Sequence, residues 1–168
     1  IACYFAVFNS PTELWPGCIE QIAPGAFSSS LGGDVRALVD HETRLVLGRT
    51  TAGTLTLRED ESGLYGEIKI NPNDSDAMNL YARVQRGDVS QCSFGFEIVS
   101  EDYIVGSDGQ TCTWTIHDLI LYEVSVVTFP AYEATSAYAR DAGDMASLRT
   151  ARLNRRRQEL LERINKLC

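Results

Sequence analysis

The chain has 168 residues, of which 44% are hydrophobic and 23% are charged, and this composition is that of a soluble globular domain. No apolar run is long enough to span a bilayer and no signal peptide is visible, although a start at Ile1 leaves room for a leader that has been removed. The formal net charge of −8 comes from the acidic residues 1–145, which disfavour nonspecific binding to nucleic acid. Residues 146–168 are basic and could meet nucleic acid, an acidic partner or the rest of the chain.

The charge divides the chain into an acidic body and a basic tail. Residues 1–145 carry 8 Lys and Arg against 21 Asp and Glu, whereas residues 146–168 carry 7 against 2. We therefore predict one domain over residues 1–140 and a basic helical tail over residues 141–168. Leucines recur in this tail at a seven-residue spacing, which suits a coiled-coil seam or a helix docked on a partner or on the domain.

The first part of the chain reads as short strands. Apolar runs at residues 2–8 and 35–39 predict two strands, and Pro24 opens a short helical turn between them. The strand at 35–39 delivers His41 to a tight turn before the next strand, residues 45–50. Side chains at such turns are held by a scaffold and remain reachable, so His41 is either a catalytic base or an ordinary surface histidine.

A hairpin and a helix follow. Residues 54–59 and 64–70 alternate in polarity on either side of a turn, which indicates a hairpin. Asp74 or Ser75 can cap a helix that Gly87 ends. Its apolar residues follow the i, i+3, i+4, i+7 rule and are Ala77, Leu80, Tyr81 and Val84.

Ser93 stands where this helix gives way to a core strand, residues 93–99. A hydroxyl at the start of an apolar strand needs a partner, either nearby backbone or a second functional side chain. Gly95 leaves room for another backbone to approach closely. Cys92 is an alternative nucleophile, but adjacent strand side chains point to opposite faces, so we interpret it as a small packed hydrophobe. A polar loop is predicted over residues 100–110.

The strand that follows this loop, residues 111–116, precedes the most apolar strand of the chain. Residues 119–129 are interrupted only by Glu123, Ser125 and Thr128, and the first two share a face. A carboxylate in such a strand is costly to bury unpaired, so Glu123 is expected to have a hydrogen-bonding or cationic partner inside the sheet. That need holds whether its role is structural or functional.

Three polar residues thus lie at the ends or inward faces of strands in one small β domain: His41, Ser93 and Glu123. Together they suggest a catalytic triad. In such a triad the imidazole takes the hydroxyl proton during attack on a carbonyl, and the carboxylate orients the imidazole and stabilises its cation.

Short motifs occur in a defined order along about residues 2–138. They are Pro24-Gly25-Ala26-Phe27, Asp40-His41, Val46-Leu47-Gly48-Arg49, Gly53-Thr54-Leu55, Arg86-Gly87-Asp88, Ser93-Phe94-Gly95-Phe96, Leu121-Tyr122-Glu123-Val124-Ser125 and Pro130-Ala131-Tyr132. The set and its order resemble the prohead maturation proteases of tailed bacteriophages. The resemblance is more specific than any one motif, because it extends over most of the chain.

The resemblance implies a mainly β (α+β) fold, a small closed or nearly closed β-barrel of the herpesvirus-protease type with flanking helices and a C-terminal helix. It implies a serine endopeptidase that acts inside the immature capsid, in the bacterial host cytoplasm. Its expected partners are the scaffold segment of the major capsid protein precursor and the protease itself, through self-cleavage. A homo-oligomer is expected, with no cofactor, no metal, no membrane and no specific nucleic acid.

Residue by residue, the resemblance makes Ser93 the nucleophile, His41 the general base and Glu123 the third member. The herpesvirus enzymes use a second histidine in the third place, for which His117 is available. His117 adjoins Asp118 near a strand junction and could equally be a surface residue.

The five cysteines form no Cys-x-x-Cys pair and are odd in number. The sequence therefore predicts neither a metal site nor a disulfide framework, and the cysteines are interpreted as reduced thiols. Two other classes of protein fit the same pattern. One is a noncatalytic β-barrel protein of capsid assembly or scaffolding, and the other is a general esterase that uses the same triad.

Overall fold

A computed structural model describes residues 1–130 of the chain. In this range it contains nine strands and one helix. They are β1 (Ala2–Val7), β2 (Thr12–Trp15), β3 (Cys18–Ile22), β4 (Arg36–Val39), β5 (Glu42–Arg49), β6 (Leu55–Glu59), β7 (Gly63–Ile68), α1 (Ser75–Arg86), β8 (Gln91–Val105) and β9 (Cys112–Val127). The predicted boundary at residue 140 and the predicted C-terminal helix lie outside the described residues.

The larger of two sheets is built around β9. This strand pairs antiparallel with β8 along its whole length. Cys112 of β9 lies opposite Val105 of β8, and Val127 of β9 lies opposite Gln91 of β8. Its other edge pairs in parallel with β3 and then with β4, and β2 and β5 extend the sheet beyond these two. Because both edges of β9 are bonded, its long apolar sequence is the sequence of a central strand.

The segment between β3 and β4 fills the gap that these two strands leave along β9. Ser30 lies in this segment, and its Oγ donates to the carbonyl of Leu119 at 2.7 Å and accepts from the backbone N–H of Leu121 at 3.0 Å. The predicted helical turn after Pro24 is present as successive turns, in which Ala26 and Ser28 donate to carbonyls three residues earlier. Buried backbone groups of β9 are thereby satisfied where no strand is adjacent.

The second sheet has the order β1-β7-β6. The predicted hairpin is present as β6 and β7, and β1 pairs antiparallel with β7. Gly66 is needed in β7 because a Cβ there would lie 2.6 Å from the ring of Phe5 and 2.7 Å from Leu57. The close packing of these two side chains over the strand therefore depends on a glycine.

The helix α1 has the predicted ends. Asp74 caps its N-terminus by accepting from the N–H groups of Asp76 and Ala77 at 3.0 and 3.3 Å, and Gly87 closes it in the left-handed conformation. Ala77 and Leu80 are buried, but Tyr81, predicted on the apolar face, is 40% exposed. This helix is neither long nor apolar enough to cross a membrane, and residues 1–130 contain no other.

The hairpin of β8 and β9 is longer than the sequence predicts. Residues 100–105, predicted as part of a polar loop, belong to β8, and the predicted strands at 111–116 and 119–129 are one continuous strand. Register shifts at Ile98/Ser100 and Ser100/Glu101 let the ladder continue through the polar stretch. Bulges of this kind break the strict alternation from which strands are predicted.

The prediction that all cysteines are reduced is wrong for one pair. Cys18 and Cys112 are register partners on β3 and β9, and they form a disulfide with a Cα–Cα distance of 4.5 Å. They are 94 residues apart in the chain, so their pairing follows from the sheet and not from any spacing in the sequence. Cys3 and Cys92 are free.

The predicted closed or nearly closed barrel is not confirmed. Within residues 1–130, no backbone ladder joins the three-stranded sheet to the six-stranded one. β1 and β8 meet through side chains, as where the Sγ atoms of Cys3 and Cys92 lie 2.8 Å apart. The described chain is mainly β with one helix, and its two sheets share a hydrophobic core.

Aromatic side chains occupy the centre of this core. Phe27 is fully buried, and its ring packs edge to face on Phe94 of β8 with a centroid distance of 5.4 Å. The ring of Phe8, which follows β1, has its centroid 6.2 Å from that of Phe27. Phe27 therefore links the segment between β3 and β4 to both sheets.

We expect Phe27→Ala to lower the free energy of unfolding by about 3–5 kcal/mol, because it leaves a cavity among rings that cannot close it. Tyr122→Ala is the matched control, since Tyr122 is 51% exposed and its removal is expected to cost roughly 0.5 kcal/mol. Urea unfolding followed by tryptophan fluorescence measures both variants. Equal losses in the two variants would contradict the central position of Phe27.

Candidate active site

The turn between β4 and β5 carries His41. Val39 and Glu42 are register partners, so Asp40 and His41 form a two-residue hairpin loop, and both have positive φ, 47° and 62°. Two positive φ values are those of a type I′ turn, which is usually made with Gly or Asn. This conformation is strained for residues with a Cβ, and strain of this kind is concentrated at functional sites.

The turn is held on the C-terminal end of β9. The backbone N–H of Asp40 donates to the carbonyl of Val126 at 3.0 Å. The carboxylate of Asp40 accepts from the backbone N–H of Thr128 at 2.7 Å and from its hydroxyl at 3.3 Å. These bonds fix the backbone from which the His41 side chain projects.

His41 and Glu123 are in direct contact. His41 Nδ1 lies 2.7 Å from Glu123 Oε1, and the two side chains are 32% and 15% exposed. With Nδ1 donating to the carboxylate, the neutral imidazole keeps its lone pair on Nε2. The partner that the sequence requires for Glu123 is therefore provided, and the imidazole is held in the tautomer of a general base.

The second oxygen of the carboxylate is also bonded. Ser125 Oγ donates to Glu123 Oε2 at 2.6 Å, and the same hydroxyl accepts from the backbone N–H of His41 at 3.2 Å. Both carboxylate oxygens thus accept a hydrogen bond from a donor on the protein.

Gly95 makes room for this arrangement. It is the register partner of Glu123 on β8, and a Cβ on it would clash with Glu123 Oε1 and lie 3.1 Å from the carboxyl carbon. The sequence predicts the close approach of another backbone at Gly95, but the group that approaches is the side chain of Glu123. Its carboxylate passes over the glycine to reach His41.

Ser93 lies on the same face of the sheet. It is the register partner of Ser125, and directly opposed side chains of an antiparallel pair project to one face. Ser93 is 2% exposed, and its Oγ has no hydrogen-bond partner in the described part of the chain. Buried hydroxyls are rarely left in this state, and each such group calls for an explanation.

Comparison with known proteins gives this site a context. A family model described as caudovirus prohead serine protease matches residues 1–147. The chain belongs to this family. The prohead protease of Enterobacteria phage HK97 is 34% identical over 145 residues, which are 84% of this chain and 60% of that relative. The chain thus spans about three fifths of the length of this relative. No solved structure matches this chain.

In this member of the prohead protease family, Cys92 points away from the candidate site. Its register partner is Val126, and it belongs to the core on the other face of the sheet. Its hydrogen bond with Cys3 and its burial raise the pKa of the Cys92 thiol. A neutral thiol on the opposite face is not an alternative to Ser93, as the sequence predicts.

His117 lies far from His41. Its Nε2 is 2.9 Å from Asp102 Oδ2 in an exposed ion pair. Six residues of extended strand separate it from Glu123, or about 20 Å along β9. Of the two sequence candidates for the third position, the structure brings only Glu123 to His41. In residues 1–130 no three His, Cys, Asp or Glu side chains converge as metal ligands would.

Sequence reasoning missed two residues of this site. The sequence indicates for Ser125 only a face shared with Glu123, and for Asp40 only its place before His41. The i, i+2 spacing of Glu123 and Ser125 was the available signal for the first, since it places both side chains side by side on a strand. An Asp at a two-residue hairpin was the signal for the second.

We expect Gly95→Ala to displace the Glu123 carboxylate and break its bond to His41. The bonded Nδ1 proton of His41 should then disappear from the downfield region of the proton NMR spectrum. Gly32→Ala is the matched control, because a Cβ at Gly32 would meet nothing within 4 Å. If the resonance survives in both variants, Gly95 is not what admits the carboxylate.

Proposed function

We propose that this chain is a serine endopeptidase of capsid maturation, which cleaves the scaffold segment of the major capsid protein precursor and also cleaves itself. The observation that carries the proposal is the His41 to Glu123 contact on the face of the sheet that Ser93 occupies. Membership of the prohead serine protease family supports the reaction class. The site of action is then the inside of the prohead, in the host cytoplasm.

In the proposed mechanism Ser93 Oγ attacks the scissile carbonyl carbon while its proton passes to His41 Nε2. The carbonyl π electrons move to the oxygen, and the tetrahedral intermediate collapses as the imidazolium protonates the leaving amine. Water repeats the sequence on the acyl-enzyme and releases Ser93. Glu123 stabilises the imidazolium that forms in both halves of the reaction, through the bond to Nδ1.

The unpartnered hydroxyl of Ser93 is consistent with a site that awaits substrate. Hydrogen bonds between nucleophile and base are often absent before substrate binds and form in the complex. We infer that the hydrogen bond from Ser93 to His41 forms when substrate binds, because the substrate then excludes water from the partly exposed imidazole.

An extended peptide is the substrate form that suits β8. In residues 1–130 this strand pairs with β9 on one edge, and no strand pairs with its other edge. A peptide can add to such an edge through main-chain hydrogen bonds. Ser93, near the start of the strand, would then lie beside the peptide, as an endopeptidase requires and a small-ester hydrolase does not.

We expect Ser93→Ala and His41→Ala each to abolish processing, with a loss of about 10⁴-fold or more, because nucleophile and base act as a unit. The assay is coexpression with the cognate capsid precursor, followed by the mass of the capsid subunit. Cys92→Ala is the control and should process normally. Unchanged subunit mass shifts in both variants would return the chain to the noncatalytic capsid-assembly class.

Substitutions of Glu123 and His117 distinguish the two candidates for the third member of the triad. We expect Glu123→Gln to reduce the rate by about 10²–10⁴-fold, because a neutral amide cannot stabilise the imidazolium. His117→Ala should leave the rate within about twofold, since it removes only an exposed ion pair. Cleavage rates of the purified variants on the capsid precursor decide the matter, and the reverse ranking would assign the role to His117.

A further inference from the structure

The buried hydroxyl of Ser125 makes two hydrogen bonds, and both are to residues of the candidate site. The residue is completely buried. Its single proton goes to Glu123 Oε2 at 2.6 Å, and it accepts from the backbone N–H of His41 at 3.2 Å. The short bond has the length of a hydroxyl bonded to an ionised carboxylate.

We propose that Ser125 is a positioning residue, whose hydroxyl fixes the Glu123 carboxylate and the His41 backbone relative to each other. This inference rests on the proposed function and deepens it. Ser125 does not touch the substrate and acts only through these two residues.

The geometry explains why both ends of the contact need to be held. The Glu123 carboxylate can rotate about its terminal bond, and the bond to Ser125 leaves only Oε1 directed at His41. His41 is in a left-handed conformation that its side chain does not favour. The bond from its N–H to Ser125 helps to hold that conformation where the turn meets β9.

The same observations exclude Ser125 as the nucleophile. Its proton is already donated to a carboxylate. Ser93, its register partner, is also buried but differs in this respect, because its hydroxyl has no partner among the described residues. The two serines thus differ in role although they face each other across one ladder.

Ser30 supplies a matched control. It is also a buried serine whose hydroxyl makes two bonds to β9, donating to Leu119 and accepting from Leu121. These bonds involve only backbone and lie away from His41. Ser30→Ala therefore removes an equivalent pair of bonds from the same strand without touching the site.

The test compares Ser125→Ala with Ser30→Ala by kinetics on a peptide spanning the processing site of the capsid precursor. We expect Ser125→Ala to lower kcat by about 10–100-fold, because a small displacement of an orienting group is costly, with KM nearly unchanged. The downfield Nδ1 proton resonance of His41 should weaken or move in Ser125→Ala, because Glu123 Oε1 is no longer held on that nitrogen. Ser30→Ala should lower thermal stability and leave kcat and this resonance as in the wild type.

Two further variants keep the test decisive. Ser125→Cys retains the shape of the side chain with a weaker donor, so it should fold and give an intermediate kcat even if the alanine variant does not fold. In a Glu123→Gln background, Ser125→Ala should cause little further loss, because both changes act on one interaction.

The outcomes separate this inference from the function on which it rests. If Ser93→Ala is inactive while both Ser125 variants keep the wild-type kcat and the His41 Nδ1 resonance, the positioning role is wrong and the protease stands. If Ser93→Ala remains fully active, the proposed function fails, and the positioning role fails with it.

Discussion

The pairing of β9 along both edges places every side chain of the candidate site. One edge aligns Ser93 with Ser125 and Gly95 with Glu123, while the other aligns β4 so that its turn reaches the end of β9. A slip of one residue in β9 would turn Glu123 into the core and expose Val124 to the site. Such a slip is opposed by the burial of Val124 and Val126 on the core face.

The β4–β5 turn shows how this sheet supports a strained element. Two consecutive left-handed residues with side chains cost on the order of 1–2 kcal/mol each, and a Gly or Asn pair would avoid most of that cost. Asp40 offsets part of it by binding Thr128 and Val126. The His41 side chain is 32% exposed and bonds Glu123 but is not part of the hydrophobic core. The strain is understandable if a histidine is required at this turn for chemistry.

Much of the strand layout was readable from the sequence because local signals and the final fold agree there. The hairpin of β6 and β7, the capped helix α1 and the turn at His41 each carry their own pattern. The need of Glu123 for a partner followed from the cost of burying a carboxylate, and the structure supplies His41 and Ser125. The strand positions of His41, Ser93 and Glu123 suggest a triad, and the family resemblance assigns the role of each, since spacing alone defines no geometry.

The features that the sequence did not predict depend on long-range register. The Cys18–Cys112 disulfide requires β3 and β9 to lie side by side in parallel, which no local pattern in either strand announces. The extension of β8 through residues 100–105 depends on bulges that shift the polarity pattern. Closure of the sheets into a barrel is likewise a matter of pairing between distant strands, and residues 1–130 lack the ladder it needs.

The surroundings of Glu123 suit a carboxylate better than an imidazole. Two donors converge on this side chain, the Nδ1–H of His41 and the hydroxyl of Ser125. A carboxylate accepts both through separate oxygens, whereas a neutral imidazole has a single acceptor nitrogen and would leave one donor unpaired. Gly95 adds a steric condition, because a Cβ at this position would clash with the Glu123 carboxylate. Ser125, Gly95 and Glu123 therefore form a matched set, in which the acceptor, its second donor and the space it occupies depend on one another.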